Sequence, residues 1–489
     1  MSKNFLLTNF TKYYIIEVRY FKLYQNTHHD CAEKLKGQLM NDKACYGLSP
    51  SQDVSYLQCK YSLYKRVINI VTSITIDYDV DFELMEKAFN LVVERNDSLR
   101  IKFFKKNGKL LQYFEDSRPY KKLPVIEFET EEQQTAYIYK QTRRAIKYLK
   151  GSVIEPHFIK TYDGKNMILF KVCHLSLDVY GITYMIKDLL AVYESLKNGT
   201  ELPEAPASFE EIVKKDIERN HNMSLETKHS EFFKDMLNDN PEPYYAGIHG
   251  SDNKFSQKML AKNHRGMQMS FIQNATKDYR HSISSEISTR VLEYCRENKI
   301  SPANFMFYTC TLTAARLNGN VRNALPLGLY NCRISQNEKN CAGSKVQSIA
   351  CYSKFNYKQS FEENLKRFAA HQSKLYMHVG FSDREFETLL HKTYRTSIFE
   401  TYYSLAFSFV PMEIPDGIDF NIYSNGNGAL GAYLIQIFNA KTNEITMAYD
   451  VQTKITSKEK VKAFHDMYVN VIKQVLDNPE IQLRDITLE

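Results

Sequence analysis

The stretch NGTELPEAPASF, Asn198 to Phe209, divides this chain in two. An Asn-Gly pair, two prolines and several small residues do not continue a helix or a central strand, so the stretch reads as a linker. With 489 residues the chain is also too long for one ordinary hydrophobic core. A break here leaves two units, one ending near residue 205 and one running from 206 to 489, each of which has to bury its own core.

Both units change period in the same way. In the first, YKRVINIVTSITIDYDV mixes β-branched and aromatic residues, and DFELMEKAFNLVVERND then sets Leu84, Ala88, Leu91 and Val92 at helical spacing. IKFFKKNGKLLQYF predicts a hairpin turning at Asn107-Gly108. NMILFKVC predicts a further strand, and Ile182, Met185, Ile186, Leu189, Leu190 and Tyr193 predict a helix that stops at Asn198-Gly199. In the second unit SSEISTRVLEYCRENKI reads as a helix, and Ser301-Pro302 supplies the cap and first-turn proline of another, SPANFMFYTCTLTAARLNG. An apolar strand ALPLGLYNCR, a strand pair around FSFVPM and AYLIQIFNAKTNEITMAYD, and a closing helix SKEKVKAFHDMYVNVIKQVLDN complete a second α/β lobe. No repeat at solenoid spacing and no low-complexity segment interrupts this order.

Composition excludes several functions. At 43% hydrophobic and 25% charged residues the chain belongs with folded globular proteins. The formal charge of +7 is a small excess of 64 Lys and Arg over 57 Asp and Glu, spread along the sequence, and offers nucleic acid no concentrated basic stripe. The nine cysteines, Cys31, Cys45, Cys59, Cys173, Cys295, Cys310, Cys332, Cys341 and Cys351, show no metal-ligand or redox spacing, so we expect reduced thiols, a cytoplasmic setting and no metal. The first residues, MSKNFLLTNFTKYYIIEVRYFKLY, interrupt their apolar positions with charge too often for a signal peptide or a membrane span.

One segment joins chemistry to this framework. In KVCHLSLDVYGITYMIKDLL, His174 sits where the strand NMILFKVC ends and the following helix begins, a connection that holds functional groups on a rigid frame in α/β proteins. An isolated H-x-x-x-D is common by chance, and a histidine beside an apolar run is more often a satisfied loop or core residue than a catalyst. Several other segments, however, fall into one order: YGLSPSQDVSYL, VERNDSLRIKFF, CHLSLDVYG, ISPANFMFYTCTLTAARLNG and LGLYNCR. In that order they resemble the condensation domains of nonribosomal peptide synthetases. Leu48, Ser49 and Gln52 match an opening Leu-Ser-x-x-Gln, and Arg95, Leu99 and Arg100 match the segment before the first hairpin. Of the central His-His-x-x-x-Asp-Gly, His174 and Asp178 are kept, while Cys173 replaces the first histidine and Val179 the glycine. The resemblance runs from about Tyr46 to the C-terminus and leaves residues 1–44 as an extension, with 45–205 the lobe that carries the motif. Within the extension His28, His29, Asp30 and Cys31 read as an exposed polar cluster.

The resemblance implies an α/β fold of two chloramphenicol-acetyltransferase-like lobes in a V-shaped pseudo-dimer, with His174 in a central tunnel that donor and acceptor enter from opposite faces. It implies a condensation-type acyltransferase that joins an acyl thioester to an amine or hydroxyl, forming an amide or ester. No cofactor is bound. The acyl group arrives on the phosphopantetheine of an acyl or peptidyl carrier protein, supplied in trans, or on coenzyme A. Imidazole titrates near neutrality and suits such a step, because the nucleophile must lose a proton as it attacks. Asp178, in the same family, turns from the tunnel and pairs with an arginine that corresponds to Arg333. Cys173, Val179 and Gly181 are candidates for the tunnel wall. Neighbours on an extended chain point to opposite faces, so His174 is poorly placed to activate the Cys173 thiol. A β-branched Val179 would be costly at a positive φ, and Gly181 is then the residue to take over the turn. Two other readings stay open at this point: an acyltransferase of the same superfamily that uses coenzyme A alone, and a catalytically silent scaffold that binds carrier proteins.

Overall fold

The structure, a computed structural model, describes residues 39–489 apart from 41–42, 117–118, 121, 150, 221, 252–264, 269–274, 398–399, 414 and 429–430. His28, His29, Asp30 and Cys31, with most of the 1–44 extension, therefore lie outside the described residues.

The first lobe begins with helix α1 (Pro50–Tyr61), whose N-cap Ser49 forms a capping box with Gln52. Strand β1 (Asn69–Ile76) follows a short 3-10 turn at Lys65–Ile68, and helix α2 (Phe82–Arg95) is capped by Asp81. The hairpin β2 (Ile101–Lys106) and β3 (Lys109–Phe114) turns at Asn107 and Gly108, both at positive φ, as the Asn-Gly pair predicts. After β4 (Val125–Glu127), α3 (Glu131–Arg143), β5 (Ile154–Lys160) and β6 (Asn166–Cys173), the chain enters α4 (Val179–Asn198), which ends at a left-handed Gly199.

Beyond the linker come α5 (Phe209–Asn220), α6 (Met223–Asn238), β7 (Thr276–Ile283), α7 (Ser285–Glu297), α8 (Pro302–Leu317), β8 (Leu327–Asn331) and β9 (Val346–Ala350). The chain closes with α9 (Phe361–Tyr376), α10 (Asp383–Tyr394), β10 (Leu405–Met412), β11 (Ile418–Tyr423), β12 (Ala432–Asn439), β13 (Ile445–Gln452) and α11 (Lys458–Asp477). The segment AYLIQIFNAKTNEITMAYD is thus two antiparallel strands, with Asn443 at positive φ in the turn between them.

Two sheets organise these elements. One has the order β11-β1-β6-β5-β4, the other β7-β13-β12-β10-β8-β9. The first is buried on both faces, with Ile70, Ile74, Phe170 and Val172 against α2 and α4, and Val71 and Leu169 against Ile138 of α3. The second packs Leu405, Phe407, Leu434 and Tyr449 against α7, α8, α9 and α11, whose Val291, Phe305, Phe368 and Tyr468 fill the larger core. Its opposite face carries Ile435 and Ile437, which meet Phe420 and Ile422 of β11. β11 comes from the sequence beyond the linker, yet it pairs antiparallel with β1 over Ile418–Tyr423 and completes the first sheet. Phe209, Ile212 and Val213 of α5 likewise join a core with Ile101, Phe103 and Cys173. Segments beyond the linker therefore enter the first unit at α5, at Cys341 and Ala342, and at β11.

Candidate active site

β6 runs through the middle of the first sheet, and its last residue, Cys173, pairs with Asn69. The loop that follows is held by main-chain and side-chain contacts from three directions. His174 N–H donates to Ile68 O at 2.9 Å, and Cys173 N–H to Val153 O at 2.7 Å. Gln52 Nε2 donates to Leu175 O at 2.9 Å, while the Gln52 and Gln112 amides donate to each other at 2.8 and 2.7 Å. Ser176 Oγ donates to Ser98 O. The Leu-Ser-x-x-Gln segment thus ties α1 to the histidine loop, and the segment before the first hairpin supports it from the other side. Neither connection has a local signal in the sequence, because the partners lie 123 and 78 residues away.

Asp178 ends the loop and caps α4, accepting from Gly181 N–H at 2.7 Å. Arg333 grips both carboxylate oxygens, Nη1 to Oδ2 at 2.9 Å and Nη2 to Oδ1 at 3.0 Å, with both side chains buried. The main-chain N–H groups of Lys345 and Val346 add contacts at 2.7 and 2.9 Å. Burial alone would raise the Asp178 carboxyl, but the Arg333 charge and these donors outweigh it and hold the carboxyl below the usual range. Arg333 also donates to Asn331 Oδ1 at 2.7 Å and to Gly343 O, and lies over the Tyr180 ring. Behind it, the buried Lys345 ammonium bridges Asp216 of α5 and Glu338 at 2.7 and 3.0 Å, which fastens the 333–346 segment around Asp178.

His174 meets different surroundings. It stays half-buried where its neighbours are closed off, and its buried Nδ1 finds no hydrogen-bond partner among the described residues. Burial holds the imidazole below its ordinary value of 6.5, against the opposing pull of its own main chain and of Asp178. The result is a neutral imidazole near neutral pH.

The three candidates for the tunnel wall take other places. Cys173 has no exposure and packs with Tyr56, Ile68, Phe103, Leu175 and Phe209, so it faces core. Burial also pushes its thiol far up, which leaves it without thiolate character. Val179 is the first residue of α4 with ordinary helical backbone, so the position needs no glycine. Gly181 does not make a turn: it lies in the first turn of α4, where an added Cβ would come within 2.5 Å of Gly343 O. Its bareness lets the 342–343 backbone close on the helix. An apolar groove of about 620 Å³ lined by Tyr78, Lys187, Leu190, Glu194, Lys197 and Ile418 lies along the C-terminal half of α4, away from the histidine loop.

Two α/β lobes, a histidine on the loop between a central strand and a helix, and an aspartate turned away from it onto an arginine define an acyl-transfer protein of the chloramphenicol-acetyltransferase type, its lobes set in a V. The family model described as "Condensation domain" matches residues 43–489, and the chain belongs to that family of condensation-type acyltransferases. It is 19% identical over 432 residues to surfactin synthase subunit 1 of Bacillus subtilis (strain 168), covering 84% of this chain and 11% of that protein. It is 24% identical over 174 residues to tyrocidine synthase 3 of Brevibacillus parabrevis, covering 35% of this chain and 3% of that protein. The chain thus spans about a tenth or less of the length of the curated relatives it matches. Among solved structures, the starter condensation domain of rhizomide synthetase in complex with C8-CoA superposes with a TM-score of 0.73 at 14% identity, covering 91% of this chain and 97% of that one. The condensation domain of the monacolin K polyketide synthase gives 0.74 at 13% identity, covering 90% and 99%. Among the described residues no helix is long and apolar enough to cross a membrane.

Proposed function

We infer that the protein joins an acyl thioester to an amine, with His174 at the reacting centre. The observation that carries this reading is the half-buried imidazole, kept neutral near neutral pH by burial and held on a loop anchored to Ile68, Gln52 and Ser98. The amine nitrogen attacks the thioester carbonyl, the C–S bond breaks, and the proton lost by nitrogen ends on the departing thiolate. His174 takes or steadies that proton and keeps the nucleophile in line. Asp178 and Arg333 touch neither reactant: their buried pair fixes the end of the loop. A hydroxyl acceptor would give the ester by the same route.

The donor is carried on a pantetheine arm. The similarity to peptide synthetases favours a carrier protein supplied in trans, and the similarity to a condensation domain bound to C8-CoA keeps coenzyme A as the alternative. Cys173 and Val179, the departures from the family motif that favour a silent scaffold, occupy ordinary core and helix positions, which supports the active reading over the scaffold. Incubation with acyl carriers and acyl-coenzyme A in the presence of amines, with the products weighed by intact mass, tests the reading. Amide formation by the parent and none by the folded His174→Ala variant supports it; transfer from neither donor returns the scaffold.

A further inference from the structure

Two guanidinium groups meet at one dipeptide, and among the described residues neither is balanced by an ion pair. Arg66 lies in the Lys65–Ile68 turn and donates from Nε to Asn425 O at 3.1 Å. Arg143 ends α3 and lies so close over Gly426 that an added Cβ there would overlap its Nη1. Each cation sits over an exposed tyrosine, Arg66 4.6 Å from the Tyr64 ring centroid and Arg143 4.6 Å from that of Tyr139. The Arg143 Nε is buried and meets no hydrogen-bond partner. Burial and then the Arg143 charge pull the Arg66 guanidinium down, as expected of two cations that repel each other. Asp450 feels Arg143, but its carboxyl accepts from Ser424 Oγ at 2.9 Å, and burial pushes it up to about 6.

This cationic pair is joined to the histidine loop by a short chain of contacts. Asn425 Nδ2 donates to Asn69 O at 3.2 Å and Val67 O at 3.4 Å, and between those residues Ile68 O receives His174 N–H. Asn69 also fixes the end of α3, donating to Arg144 O at 2.9 Å and accepting from Ile146 N–H at 3.0 Å. The fold therefore places two guanidiniums, backed by aromatic rings at the surface, beside the strand start that holds the backbone of His174. Two guanidiniums brought together against the single Asp450 carboxyl leave a net positive charge that suits an anion, and paired guanidiniums match a phosphate with parallel N–H···O contacts.

We propose that Arg66 and Arg143 bind the phosphate of the pantetheine arm that brings the acyl group to His174. This rests on the acyl-transfer reading for the identity of the anion, and the phosphate is common to carrier-bound and coenzyme A donors. The test is calorimetric binding of 4'-phosphopantetheine, pantetheine and coenzyme A to the full chain and to an Arg66→Gln/Arg143→Gln double variant. The parent should prefer phosphopantetheine over pantetheine by at least ~10-fold, about 1.4 kcal/mol. The double variant should lose that preference and bind pantetheine as the parent does, while Arg143→Lys, which keeps the charge, retains part of it. Arg66→Gln alone, at a half-buried position on a turn, gives the same reading where the double variant does not fold. Equal binding of the two compounds by the parent, or a preference the variants keep, overturns the site. A loss confined to coenzyme A assigns the pair to the nucleotide phosphates and also overturns it. Turnover is not the readout. A parent that binds phosphate through these arginines without transferring acyl groups keeps the site and loses the acyl-transfer reading, and the reverse result separates them the other way.

Discussion

Asp178 and His174 stand four residues apart on one loop and meet opposite surroundings. The aspartate is closed off, fully ionised, and receives hydrogen bonds from Arg333, Gly181, Lys345 and Val346. The histidine is half-buried, held neutral by burial, and has an Nδ1 without a partner. On the proposed reading the motif's two ionisable residues do different work: Asp178 holds the loop and His174 takes part in the chemistry.

The largest expected effect breaks the closed-off half of that contrast. Asp178→Ala leaves the Arg333 guanidinium buried and uncompensated and removes the cap of α4. It should cost roughly 3–5 kcal/mol in denaturant unfolding. His174→Ala should lower stability far less. An Asp178→Ala variant that unfolds like the parent would mean the pair is not buried as described. Next comes the open half: His174→Ala should keep the fold and reduce turnover by at least ~100-fold, the effect of losing an acid-base group and about 2.7 kcal/mol of barrier. Unchanged turnover in a folded variant would remove His174 from the reaction.

A third test concerns how the halves are brought together. In an exposed helix Gly→Ala is worth about 1 kcal/mol of added stability. At Gly181 the new Cβ would meet the Gly343 carbonyl at 2.5 Å, and Gly343 in turn lies against the Phe209 ring. Overpacking at such a contact costs roughly 1–3 kcal/mol, so Gly181→Ala should destabilise despite its better helix propensity. A variant more stable than the parent would show that the 342–343 backbone yields easily.

Much of this site was legible in the sequence because its parts carry local signals. The period change from NMILFKVC to the apolar face of Ile182, Met185 and Leu189 located the loop, and the family's motif order attached Arg333 to Asp178 across 155 residues. What stayed hidden is what side chains do not announce. Lys345 and Val346 contribute main-chain N–H groups, which leave no mark on residue identity. Gly181 invited a turn, yet its reason is a backbone approaching from a distant segment. β11 is only six residues long, IDFNIY, and nothing local tells a strand which sheet it will join, so its insertion beside β1 across the boundary at 205 was out of reach. Cys173 and Val179 looked like losses from a motif and are accommodated by a core and a helix start.

The smallest expected effect is a displacement along the pH axis, and it sharpens the contrast most. Burial lowers the His174 pKa below 6.5, so the folded state favours the neutral imidazole and protonation favours unfolding. The stability this group contributes is therefore present above 6.5 and is lost as pH falls through 6.5 toward the lower folded value. For catalysis the same shift keeps the base in its working form where an exposed histidine would be protonated. At pH 6 an unshifted imidazole is only about a quarter neutral, so an ordinary histidine would cut kcat/KM roughly fourfold between pH 8 and pH 6. Because burial lowers the His174 pKa, the parent should lose less than that over the same range, with its acid limb centred below 6.5. His157, His371 and His465, each held at about 4 by burial, also draw down stability below 6.5, so the folded fraction has to be followed by circular dichroism in the same buffers. A limb centred at 6.5 in a fully folded protein would show that His174 titrates as a solvated residue, and the difference between it and Asp178 would then lie in hydrogen bonding alone.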